Sequence, residues 1–63
     1  MELLKVNLLT EDDIFQEVHL NPDMIGAVMP APREGLVRIV MSGGQVLDVK
    51  GDIEDILARL RLI

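Results

Sequence analysis

Cysteine is absent from these 63 residues, which excludes disulfides and thiolate metal sites. His19, the one histidine, excludes an imidazole-rich metal site as well. Tyrosine and tryptophan are missing and Phe15 is the sole aromatic residue, so single-stranded nucleic acid finds no stacking platform. Basic residues are few. Six of them against eleven acidic ones leave a formal charge of -5, the wrong sign for phosphate backbones. Nucleic acid is therefore disfavoured as a direct partner. No run approaches the ~20 apolar residues of a membrane span, and Met1-Glu2-Leu3 lacks the basic start of a secretory leader. No membrane span is expected, and the cytoplasm is the expected location.

What the chain has in quantity is aliphatic side chain. Hydrophobic residues make up 49% of it and the mean hydropathy is positive. A chain of this length buries only about 60% of the surface its unfolded form exposes. Ordering it costs roughly 1.5 kcal/mol per residue, which one small core barely offsets. Without disulfides or metal to help, self-association is expected, with the surplus apolar surface as the interface.

One domain over residues 1–63 is expected, with strands to about residue 50 and a helix over 52–62. Residues 2–9 alternate, Leu4, Val6 and Leu8 on one side, Lys5 and Asn7 on the other. Thr10-Glu11-Asp12-Asp13 is a polar break. The following stretch fits two patterns. Ile14, Phe15 and Val18 have helical spacing behind a Thr10 cap. As a strand, Ile14, Gln16, Val18 and Leu20 share one face, with Phe15, Glu17 and His19 opposite. The strand is preferred, because a helix here would be barely two turns long. Asn21-Pro22-Asp23 is a turn, and an apolar run over residues 24–29 follows, with Gly26 marking a bulge or a close approach. Pro30-Ala31-Pro32-Arg33-Glu34-Gly35 reads as loop throughout, stiffened by its prolines. Residues 36–41 and 46–50 form a hairpin around Ser42-Gly43-Gly44-Gln45, where glycine supplies positive φ. Asp52 then caps a helix whose apolar stripe is Ile53, Ile56, Leu57 and Leu60. The expected fold is α+β: a small bent antiparallel sheet of about five short strands closed by one C-terminal helix.

Three segments carry a resemblance to a known family. They are Leu20-Asn21-Pro22-Asp23-Met24-Ile25, Gly44-Gln45-Val46-Leu47-Asp48-Val49 and Asp52-Ile53-Glu54-Asp55-Ile56. In sequence and spacing these turn, hairpin and cap residues resemble the short flagellar accessory family usually called FlbD. The resemblance implies an accessory role in flagellar motor function or gene expression and carries no catalytic motif. The first turn and the loop with Pro30 and Pro32 are longer here than the family's pattern.

Candidate chemistry is sparse. Glu11, Asp12 and Asp13 lack the alternating spacing of calcium ligands and read as a solvated turn. His19 has no recognisable nucleophile or acid set beside it. Ser42-Gly43-Gly44 is not a nucleophile elbow, nor is it followed by the lysine and helix of a P-loop. No catalytic, metal or cofactor-binding residue is assigned, and the protein is not expected to be an enzyme. Met24, Met29 and Met41 suit either an adaptable contact surface or a small core. The loop over residues 30–35 has the stronger claim, since exposed loops disproportionately carry function. Pro30, Pro32, Arg33 and Glu34, with Arg38 beyond them, are the expected partner- or ligand-binding residues.

The leading expectation is a non-catalytic, self-associating interaction or regulatory protein that meets another protein through this loop. One alternative is an oligomer that binds an anion or nucleotide between subunits through Arg33 and Arg38. Another is a small acidic inhibitor of a nucleic-acid-binding protein.

Overall fold

The computed structural model describes residues 2–63. Its elements run β1 (Leu4–Leu9), β2 (Phe15–Leu20), β3 (Ile25–Pro30), β4 (Leu36–Met41), β5 (Val46–Lys50) and α1 (Ile53–Arg61). One turn of 3-10 helix, Pro22–Met24, joins β2 to β3. All five strands lie in a single sheet of order β2-β1-β5-β4-β3, with each neighbouring pair antiparallel. This is the expected α+β architecture. The segment open to two readings is a strand: β2 pairs with β1 without a break from Leu4↔Leu20 to Leu9↔Phe15. A ready ladder outweighs a short helix, and Thr10 Oγ1 accepts a hydrogen bond from the Ile14 N–H at 3.3 Å.

The β1–β2 and β4–β5 hairpins turn in the same way. Thr10 N–H donates to Ile14 O at 2.8 Å, and Met41 N–H donates to Gln45 O at 2.8 Å. In each, the last of the three loop residues is left-handed, Asp13 at φ 62° and Gly44 at φ 92°.

The short link between β2 and β3 bends the sheet. These are the two edge strands, and in a flat sheet of this order their centres would be ~19 Å apart. They would also point the same way, so the link would have to travel a strand's length as well. Leu20 to Ile25, with its 3-10 turn, reaches only about 15 Å. The sheet must therefore coil. The bend falls where β1 meets β5, a junction registered only at Leu8↔Val49. The β1–β2 hairpin thus folds across the β3–β4–β5 meander as a second layer. Leu4, Val6 and Leu20 from the hairpin meet Val37, Ile39 and Val49 from the meander, and Ile56 of α1 joins the same core.

The helix is anchored at both ends. Asp52 caps it by accepting from the Asp55 N–H at 3.0 Å, and the Arg59 guanidinium donates to the Lys5 carbonyl. The regular turns span Ile53–Arg61, so of the expected 52–62 the two end residues are caps. No helix among the described residues is long and apolar enough to cross a membrane.

Two expectations need correction. The first strand begins at Leu4, two residues later than the alternation suggested. Pro30 is not loop but the last residue of β3, opposite Val37. An edge strand tolerates proline where the missing N–H would face solvent. Ala31 N–H donates to Leu36 O at 3.4 Å, so by alternation the nitrogen of Pro30 lies on the open side.

Gly51 makes the turn from β5 into α1 at φ 134°, and its N–H donates to Gly35 O at 3.0 Å. A Cβ there would meet only Ile56 Cδ1, at 3.9 Å, so space is not the obstacle; the backbone angle is. Gly51→Ala is expected to destabilise the fold by about 1–3 kcal/mol, measurable as a lowered urea midpoint. An unchanged midpoint would contradict this account of the turn.

Candidate interaction surface

The loop after β3 stands at the surface, with Pro30, Pro32, Arg33 and Glu34 all exposed. Its far end is held by the Gly35–Gly51 hydrogen bond. Arg33 Nη1 lies 3.6 Å from Asp13 Oδ1, which joins this loop to the acidic turn between β1 and β2. Both partners are well exposed, so the pair positions the two loops more than it stabilises them. The structure thus gathers Pro32, Arg33 and Glu34 beside the Glu11-Asp12-Asp13 turn.

Arg38 is placed differently. It lies on β4 directly opposite Asp48 of β5, on the face away from the core. Its Nε donates to Asp48 Oδ1 at 2.9 Å and its Nη2 to Oδ2 at 3.0 Å, a bidentate pair. The side chains are 34% and 28% exposed, so water screens this pair less than the one at Arg33. The hairpin closes at Met41 and Gln45, one residue tighter than the four-residue turn the sequence suggested, and counting outward from that closure puts Arg38 opposite Asp48. The hydrogen bond from Arg38 holds the Asp48 carboxyl below its ordinary value of 3.8, helped by the charges of Arg38 and Arg33 and opposed by partial burial. The same bond raises Arg38.

A depressed carboxyl adds stability that is full above the ordinary value and is lost as pH falls from there through the folded value. Wild-type stability is therefore expected to decline below about pH 4, and Asp48→Asn to have a shallower decline over that range. Urea midpoints measured through the acid limb test this. Equal slopes would remove Asp48 from the acid response.

Apolar side chains surround these charges. Met29 pairs with Arg38 on β3 and is 39% exposed, and Val46, opposite Val40, is 55% exposed. Lys50 Nζ sits 5.5 Å from the centre of the Phe15 ring, within cation–π range. That ring is 45% exposed. Ile14, grouped by alternation with Gln16, Val18 and Leu20, is 62% exposed and lies one residue before β2 begins. Ile14 and Phe15, with Thr10, Glu11, Asp12 and Gln16, line an open depression of about 570 Å³. These residues were not among those expected to bind. The available signal was Phe15 itself, the only aromatic residue, set on the polar side of its strand.

Among the described residues, no three histidine or acidic side chains converge in a way that could hold a metal ion. Fold and surface together define a small α+β protein with an apolar, charge-studded exterior. No family model matches the chain, and no curated protein or solved structure matches it.

Proposed function

We propose that this is a non-catalytic interaction protein of the cytoplasm that self-associates and meets another protein in a regulatory or accessory role. The observation that carries this reading is the amount of apolar side chain outside the core. Ile14, Phe15, Met29 and Val46 are between 39% and 62% exposed, on a chain with little interior to spare. Apolar side chains left outside so small a core are material for an interface. The partner surface is the loop carrying Pro32, Arg33 and Glu34 together with the adjoining turn, since Arg33 and Asp13 tie the two. The resemblance to the FlbD family points the same way, towards a flagellar accessory role.

The anion- or nucleotide-binding alternative loses ground, because Arg33 and Arg38 both already face carboxylates of their own chain. The inhibitor alternative keeps one specific support. Glu11 and Asp12 line the same open depression as Ile14 and Phe15, a match for a basic partner with an apolar side chain to offer. Reversing both charges should abolish salt-sensitive capture of such a partner.

Light scattering behind a sizing column, over a range of protein concentrations, tests the main reading. A mass of two or more chains is expected. A monomer at every concentration would overturn self-association.

A further inference from the structure

We propose that two copies join strand to strand through β2, with Val18 on the two-fold axis; this rests on the self-association proposed above and names its surface. The sheet has two open edges, β2 and β3. Open edges present unpaired N–H and C=O groups that can recruit another chain.

The two edges differ. On β3 the register shifts at Gly26, between Ile25 and Ala27, and Pro30 has no N–H on the open side. A bulge and a proline are both devices that blunt an edge. β2 has neither. It has no glycine or proline, and its register against β1 runs unbroken through Leu20. Thr10 N–H donates to the carbonyl of Ile14, which fixes the alternation along the strand. Gln16, Val18 and Leu20 turn their backbone groups towards β1. Phe15, Glu17 and His19 therefore turn theirs outward. Among the described residues, no other strand pairs with that side.

Side-chain chemistry selects the register. A symmetric antiparallel pair keeps like faces together, so the axis must pass at a residue position. With the axis at Glu17, two carboxylates would stand opposite each other, which is destabilising. With the axis at Gln16 or His19, the overlap is shorter and leaves more of the edge unpaired. With the axis at Val18, Glu17 stands opposite His19 of the partner subunit, and the pairing repeats on the other side of the axis. Each such pair exchanges both backbone hydrogen bonds. Within the chain the Glu17 carboxylate already has Lys5 Nζ at 3.8 Å and His19 Nε2 at 3.3 Å, so an imidazole and a carboxylate suit each other on this face. On the opposite face Val18 meets Val18 of the partner subunit, and its half-buried side chain continues the core across the axis.

The test uses the full chain, with light scattering for mass and amide exchange for location. In wild type the Glu17 and His19 amides should be protected, and their protection should fall on dilution. His19→Glu should raise the dimer dissociation constant about tenfold, by setting like charges opposite at both pairs. The double variant Glu17→Lys with His19→Glu should restore it. Glu17→Pro, which removes an outward N–H and no bond to β1, should give a monomer with an unchanged far-UV spectrum. A wild-type dimer whose Glu17 and His19 amides exchange freely, or whose affinity ignores the charge swap, would overturn the β2 interface while leaving self-association intact. A monomeric wild type would overturn both.

Discussion

Ile39→Ala is expected to remove about 2–5 kcal/mol of stability, from a domain whose whole stability is only about 3–9 kcal/mol at this length. The size of the effect follows from position. Ile39 sits in the middle of β4, between Val28 of β3 and Leu47 of β5, and is fully buried. It belongs to the one cluster that includes residues of the hairpin, the meander and the helix. A cavity there has no mobile neighbour to fill it, because the strands on both sides are held by backbone ladders. Ile39→Val keeps most of the volume and should lose only about 0.5–1.5 kcal/mol. Val46→Ala, on a side chain 55% exposed, should stay within about 0.5 kcal/mol. With no tryptophan or tyrosine, the measurement is urea unfolding by far-UV circular dichroism at constant protein concentration, since self-association would shift apparent stability. If Ile39→Ala and Val46→Ala lost similar amounts, the core would not be where the burial places it.

The parts legible in the sequence are those set by neighbours along the chain. The hairpin around Gly43 and Gly44 and the Asp52 cap lie where local chemistry puts them, and of the stripe Ile53, Ile56, Leu57 and Leu60 all but the half-buried Leu57 pack into the core cluster. Alternation in β1 correctly picked Leu4 and Val6 as core residues. The less legible parts depend on contacts between distant segments. Nothing local says that β1 pairs with β5, yet that junction bends the sheet and brings Arg33 to Asp13. Pro30 was misplaced for the same reason: a proline is excluded from a central strand, and only the sheet order makes β3 an edge. Alternation also carried Ile14 one residue too far, past the point where β2 begins. Of the expected binding residues, Pro32, Arg33 and Glu34 stand together at the surface. Arg38 does not join them, because the hairpin register commits it to Asp48.

Ile56→Ala is expected to lose a comparable amount, about 2–5 kcal/mol, and to show whether the helix and sheet are one cooperative unit. A nine-residue helix has little stability of its own in water. The Asp52 cap contributes about 1 kcal/mol, so α1 must be held mainly by docking. Ile56 is the only fully buried side chain of α1, at 2% exposure, while Ile53 and Leu60 pack half-buried against the same cluster. Removing Ile56 therefore weakens the hold of the helix and leaves a cavity in the cluster it shares with Ile39 and Val49. A chain this small has no second core to keep the sheet folded once that happens. The expected result is a single transition at a lower urea midpoint, with helical and sheet signals lost in parallel and amide exchange accelerated in β4 as much as in α1. Ile56→Val should recover most of the loss. Two separate transitions, with α1 melting first and β4 still protected, would instead mean that the coiled sheet is stable alone and that the helix is a detachable cover.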